Sequence, residues 1–249
     1  MALTAKPYLK HVSIRPEAEM DADAYPYNIP AVRSMGCLEF DPDVTFFVGE
    51  NGAGKSTVLE AIAVALDYSP EGGTRNFRLQ TTPKESVSLL YQALRLDRSH
   101  RKPQDGYFLR AESFFNVATF MDEVGAGGSY GDRSLHERSH GEAFLALLTH
   151  KLRGKGLYLL DEPEAALSPT RQLAALVAIR QLVEDQSQFI IATHSPILLA
   201  YPNAKILRFD GTGISAVKFE DTEHYTVTRD FLNNYPRRLD RLFTNGRLL

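Results

Sequence analysis

The segment Gly49-Glu50-Asn51-Gly52-Ala53-Gly54-Lys55-Ser56 constrains this chain more than any other. The apolar run Val44-Thr45-Phe46-Phe47-Val48 precedes it, and residues 58–66, apolar nearly all round, follow. Strand, glycine-rich turn and buried helix in that order give the full context of G-x-x-x-x-G-K-[ST]. Glycines let backbone N–H groups turn inward and approach phosphate oxygens closely. The following helix aims its N-terminal dipole at the same anion. The expected phosphate cradle is therefore Gly49, Glu50, Asn51, Gly52, Ala53, Gly54, Lys55 and Ser56, with Thr57 beside it. Lys55 is expected to reach the β- and γ-phosphates, and Ser56 to ligate Mg²⁺. The bland alternative, a glycine-rich turn with an accidental lysine, leaves the flanking strand and helix unexplained.

Two further apolar runs end in polar residues. Leu157-Tyr158-Leu159-Leu160 leads into Asp161-Glu162, and Phe189-Ile190-Ile191-Ala192 leads into Thr193-His194-Ser195-Pro196. Continuous apolar runs suit central parallel strands, and ligands in such sheets bind at the strands' carboxyl ends. Asp161 is then placed to hold Mg²⁺, directly or through water. Glu162 is placed to orient and polarise an attacking water. His194 can hydrogen-bond a γ-phosphate oxygen or that water, although a lone histidine is also commonly a satisfied structural group. No G-x-S-x-G elbow surrounds Ser195, so it reads as the cap of a helix that Pro196 begins.

The rest of the chain supports an α/β fold with a mostly parallel sheet covered on both faces. Strands are expected at 8–14, 37–40, 107–109 and 157–160. Helices are expected at 113–121, 142–152 and 170–183, and residues 86–96 carry helical spacing at Val87, Leu90 and Leu94. Gly72-Gly73 reads as a loop, as does the glycine-rich stretch 125–131. Asp210-Gly211-Thr212-Gly213 marks a hairpin between 205–209 and 214–219. The tail 225–248 reads as helix broken at Pro236. The acidic run over 17–23 reads as a solvated loop. Among 249 residues there are 28 Lys plus Arg and 31 Asp plus Glu, a net charge of −3 that argues against a general nucleic-acid binder. Apolar runs such as 157–160 and 197–200 fall far short of the roughly 18–20 residues of a membrane span. Residues 1–10 lack the apolar stretch of a signal peptide. The single cysteine, Cys37, fits a reducing cytoplasm.

The ordered set of phosphate loop, Ser139-His140-Gly141-Glu142, Asp161-Glu162-Pro163, Ala166-Leu167-Ser168-Pro169 and His194 resembles ABC-type ATPases. The Ser-x-Gly-Glu form looks like the signature segment of the soluble SMC/RecF-like branch. The stretches Asp161–Pro169 and Thr193–Pro196 look like small stand-alone bacterial ATPases of that branch. The resemblance implies a single three-layer P-loop NTPase domain over 1–249. It further implies an antiparallel β subdomain and a small helical, signature-bearing insert over roughly 75–152. It implies ATP and Mg²⁺ as ligands and a head-to-tail homodimer. In that dimer Ser139, Gly141 and Glu142 would serve the nucleotide bound by the other protomer, and 166–168 would line the interface. Read without the family, Ser139-x-x-Glu142 is simply a capping box. His194 would be the γ-phosphate sensor and Gln80 the glutamine that senses Mg²⁺ and water, although Phe77-Arg78-Leu79-Gln80 makes a poor strand. The interval between loop and signature, about 80 residues without sustained heptads, excludes coiled-coil arms. No clear aromatic adenine platform is present; Tyr8, Tyr27 and Arg33 are the available candidates, each read more readily as packing or surface.

Four functions are compatible with these motifs. The preferred one is a soluble ATPase that couples hydrolysis to an unknown partner or nucleic acid. The main alternative is the nucleotide-binding subunit of an ABC membrane transporter, whose channel is a separate protein. A small-molecule kinase would not need the Ser139 or His194 segments. A nucleic-acid module with a vestigial ATPase would use Arg95, Arg98, Arg101 and Lys102, or Arg237, Arg238, Arg241 and Arg247, each cluster also readable as a solvated face.

Overall fold

A computed structural model describes residues 6–74, 88–110 and 140–245, with the side chains of His140 and Asn245 outside that description. The central strands are β3 (Val44–Val48), β7 (Gly156–Asp161) and β8 (Gln188–Ala192), and every residue in them is buried. They join β4 (Gly73–Thr74), β6 (Asp105–Arg110), β9 (Lys205–Asp210) and β10 (Gly213–Val217) in the order β10-β9-β3-β8-β7-β6-β4. β3 runs parallel to β8 and β9, and β7 runs parallel to β6 and β8. Only the outer pairs β9–β10 and β4–β6 are antiparallel.

Side chains alternate across a strand, so each central strand feeds two cores. Val44, Phe46, Val48, Tyr158, Leu160, Phe189 and Ile191 pack on one face. That face is covered by α4 (His140–Ala146, continuing as a π-helical turn Leu147–Lys151), α5 (Pro169–Glu184) and α6 (Pro196–Leu199). Phe47, Leu157, Leu159, Ile190 and Ala192 pack on the other, in a core shared with α1 (Pro30–Arg33) and α2 (Lys55–Ala65). These are the three layers expected of the continuous apolar runs.

The second core also takes up a small antiparallel sheet, β2-β1-β5, made of β1 (Leu9–Ile14), β2 (Leu38–Glu39) and β5 (Leu94–Arg98). Gln188 ties the two sheets together: its Oε1 accepts from the Leu9 N–H at 3.0 Å, and its Nε2 donates to the Leu9 and Asp41 carbonyls at 2.9 Å each. A fully buried amide is tolerable only with such partners.

Two expectations are corrected. Of the helical spacing over 86–96, the described residues 88–96 form one turn, α3 (Leu90–Ala93), before the chain becomes β5. Leu94-Arg95-Leu96-Asp97-Arg98 alternates apolar with polar, and β1 offers it an antiparallel edge from Leu9↔Arg98 to Ile14↔Leu94. Strand pairing therefore overrides the helical spacing of Leu90 and Leu94. Gly73, expected in a loop, pairs with Phe108 as the end of β4. The 205–219 hairpin forms with Asp210 opposite Gly213, and Asp210 Oδ1 accepts from the Thr212 N–H at 2.8 Å. The last helix, α7 (Glu223–Asn245), kinks at Asn234, two residues before Pro236, where the proline ring cannot fit a straight helix. The helix expected at 113–121 and the glycine-rich stretch 125–131 lie outside the described residues.

Candidate functional site

Register builds the site. Phe47 pairs with Ala192, and Ala192 pairs with Asp161, so β3, β8 and β7 end side by side. The residues that follow are Gly49 to Gly54, Thr193-His194 and Glu162. Gly49 has φ +147°, and a Cβ there would sit 2.2 Å from the Phe209 carbonyl oxygen. Gly54 caps α2 in the left-handed region, with φ +98°. Both positions demand glycine, which explains the pattern locally.

Lys55 is 4% exposed and folds back over its own loop, donating to the Gly49 and Glu50 carbonyls at 2.9 Å each. Burial pulls its ammonium below the ordinary lysine range, and the carboxylates of Glu162, Asp161 and Glu164 work against that shift. Ser56 Oγ donates to Asp161 Oδ1 at 2.9 Å. A hydroxyl and a carboxylate at that spacing are hard oxygen donors. Mg²⁺ prefers such a partial set, completed by water and substrate phosphates. Among the described residues no group of three or more His, Cys, Asp or Glu is placed to hold a metal by itself, and Mg²⁺ at a phosphate loop does not require one.

Glu162 adopts φ 49°, ψ 51°, and its N–H donates to the Ala192 carbonyl at 2.9 Å. A left-handed glutamate is costly and is held here by the β8 contact. Its side chain is 44% exposed, with Oε1 3.7 Å from His194 Nε2. The His194 backbone N–H donates to Glu164 Oε1 at 2.5 Å, and burial raises the Glu164 carboxyl above the usual range. His194 Nδ1 lies 3.1 Å from Nε2 of His224, which comes from the first turn of α7. Burial lowers both imidazoles, and Lys55 lowers them further. Ser195 caps α6, accepting from the Ile197 and Leu198 N–H groups at 3.1 Å each.

The structure thus brings Lys55, Ser56, Asp161, Glu162 and His194 together. Thr57 Oγ1 lies 3.3 Å from the Tyr25 hydroxyl. Gly141 meets the turn after β7 and Glu142 meets the first turn of α5: a Cβ on Gly141 would be 2.8 Å from the Ala166 carbonyl oxygen, and Glu142 pairs with Arg171 at 3.1 Å. Ser139 and Gln80 lie outside the described residues. Tyr8 is 4% exposed and bonds the Gln186 carbonyl, and Arg33 bonds the Ala22 carbonyl. Tyr8 is a core residue, whereas Arg33 is exposed. Of the basic clusters, Arg98 bonds the Ala65 carbonyl and Arg238 pairs with Asp230, while Arg247 lies outside the description.

Sequence reasoning missed Glu164 and His224. Glu164 sits inside a segment already singled out, three residues beyond Asp161. His224 carries no local signal, because it meets His194 only through the packing of α7. Beside it, a cleft of about 450 Å³ opens between Gly49–Ala53, Arg208–Gly211 and Thr222–His224.

Two family models described as AAA domains match residues 33–107 and 126–200, the second description also naming the AbiEii toxin of type IV TA systems. The hemin import ATP-binding protein HmuV of Pseudomonas fluorescens is 30% identical over 198 residues, covering 70% of this chain and 75% of HmuV. The xylose import ATP-binding protein XylG of Moorella thermoacetica is 22% identical over 238 residues, covering 86% of this chain. This chain spans 46% of the length of XylG. The SMC head domain from Thermotoga maritima is similar at TM-score 0.44 and 15% identity, covering 84% of this chain and 98% of that one.

Proposed function

The chain belongs to the ABC-type P-loop ATPases, and we propose that it binds Mg²⁺-ATP at the Lys55 loop and hydrolyses it to ADP and phosphate. One observation carries the reading: the Ser56–Asp161 contact of 2.9 Å lies beside buried Lys55, with Glu162 following Asp161 at the end of β7. Gly49 to Gly54 would offer backbone N–H groups to the phosphates, and Lys55 would exchange its loop carbonyls for phosphate oxygens. Ser56 and Asp161 would hold Mg²⁺, which supplies charge neutralisation when bound. Glu162 would orient and deprotonate the water, and His194 would hydrogen-bond the γ-phosphate. Gln80 would join Ser56 and Asp161 as the residue sensing Mg²⁺ and water.

The dimer reading rests on the family pattern. Ser139, Gly141 and Glu142 would face the nucleotide of a second copy, with 166–168 along the interface. The contact of Gly141 with Ala166 keeps those two segments together, as a shared surface requires. In this reading residues 1–249 act as one ATPase domain of the soluble SMC/RecF-like branch in the cytoplasm, moving an unidentified protein partner or nucleic acid. No helix among the described residues is long and apolar enough to cross a membrane.

A second reading has its own support. HmuV and XylG are both import ATP-binding proteins by name, which favours the nucleotide-binding subunit of a transporter. A pull-down of the Glu162→Gln protein from its native lysate with Mg²⁺-ATP, after nuclease treatment, separates the two. A soluble partner, or the protein with itself alone, is expected. A polytopic membrane protein in near-equal amount would establish the transporter reading instead.

A further inference from the structure

Two histidines meet at hydrogen-bond distance beside the site. His194 Nδ1 and His224 Nε2 are 3.1 Å apart, with ring centroids 5.2 Å apart and planes inclined at 53°. A neutral imidazole carries one N–H, and the bond that one nitrogen makes decides the state of the other. Burial lowers both rings and Lys55 lowers them further, which favours the neutral forms. Two neutral arrangements remain.

In the first, His194 donates from Nδ1. Its Nε2 then turns a lone pair toward Glu162 Oε1, 3.7 Å away. In the second, His224 donates from Nε2, and His194 carries its hydrogen on Nε2, facing the carboxylate as a donor. His194 Nε2 is buried and has no hydrogen-bond partner among the described residues. A lone pair there, aimed at a carboxylate, is repulsive, whereas an N–H is attractive. The same N–H is what a γ-phosphate oxygen would accept.

We propose that His224 is a positioning residue: its Nε2–H bonds His194 Nδ1 and holds His194 in the Nε2–H tautomer, ready to donate toward the reacting phosphate. The catalytic consequence rests on the ATPase reading, while the tautomer assignment stands without it. Outer-shell partners of this kind, orienting a ring that itself touches the reacting group, commonly affect rate by about 10- to 100-fold. The arrangement also makes the seating of α7 a determinant of the site. His224 lies in the first turn of that helix, whose start is anchored where Thr222 Oγ1 accepts from the Tyr225 N–H at 3.3 Å.

The test combines spectroscopy with kinetics on the full chain. Two-bond ¹⁵N–¹H correlation spectra of ¹⁵N-histidine-labelled protein report which nitrogen of each ring is protonated. The expected result is a protonated Nε2 on both rings and an unprotonated Nδ1 on His194. A protonated Nδ1 on His194 would overturn the proposal, whatever the variants do. His224→Ala is expected to lower kcat roughly tenfold with KM for ATP little changed. His224→Gln places an amide N–H at similar reach and is expected to recover most of that loss. An alanine variant at the wild-type rate would overturn the proposal, as would a folded glutamine variant as slow as alanine. Should the wild type hydrolyse no ATP, the functional reading fails and the spectra alone decide the histidine assignment.

Discussion

Replacing Glu162 by Gln removes one charge and almost no volume. The side chain is 44% exposed, so folding stability should change by no more than about 0.5 kcal/mol. The backbone stays left-handed at φ 49°, because glutamine tolerates that region no better or worse than glutamate, and the N–H bond to Ala192 at 2.9 Å is untouched. Lys55 loses the largest of the three carboxylate interactions that support its charge, but those with Asp161 and Glu164 remain. Nucleotide binding should therefore survive within about threefold, since the cradle itself is unaltered. Only the step needing a base at the water should suffer. A positioned general base contributes about 10²- to 10⁴-fold, which is roughly 2.7–5.5 kcal/mol of barrier. The assay is phosphate release at saturating Mg²⁺-ATP, paired with equilibrium nucleotide binding. Wild-type turnover in the glutamine variant would refute the reasoning. A parallel loss of binding would show instead that Glu162 acts through Lys55.

Other outcomes follow from the same geometry. Gly49→Ala forces a Cβ to 2.2 Å from the Phe209 carbonyl oxygen at φ +147°, so denaturant titration should show a loss of roughly 2–5 kcal/mol or failure to fold. Leu160→Ala, at a fully buried position of β7, should cost about 2–5 kcal/mol, whereas Leu232→Ala, 66% exposed on α7, should stay within about 0.5 kcal/mol. His194 and His224 both have lowered pKa values when folded, so below about pH 6.5 the unfolded chain binds more protons than the native one. Their contribution is fully present above that pH and is lost as pH falls, with a slope of at most about 1.4 kcal/mol per pH unit for each proton. The His224→Ala protein should show a shallower acid slope between pH 7 and 5 in denaturation curves, and an unchanged slope would contradict the shared burial of the pair.

The sheet and the grouping of Lys55, Ser56, Asp161 and Glu162 at its edge were legible because their signals are local and strong. Phe46, Leu159 and Ile190 sit in runs whose every residue is buried, which only a central parallel strand requires. Each run ends in the polar residues that the sheet then delivers to one edge. Signals that depend on a partner were not legible. Leu90 and Leu94 fit a helix until β1 supplies an edge, and two residues as short as Gly73-Thr74 become strand only beside Phe108 and Tyr107. Nothing in the sequence sets Glu164 apart from its neighbours, and its burial under the His194 backbone follows from the one-turn 3₁₀ helix Pro163–Ala166. His224 is thirty residues from the histidine it meets, with a hairpin and α6 intervening, and no spacing rule connects them.

The central claim is that three strand ends assemble a site for Mg²⁺-ATP around Lys55. Calorimetric titration of the wild-type chain with ATP, with and without Mg²⁺, tests it most directly, with Lys55→Ala as the paired variant. One nucleotide per chain, tighter with Mg²⁺ and lost in Lys55→Ala, is the predicted result. Binding that is absent at millimolar ATP, or unchanged when Lys55 is removed, would contradict it.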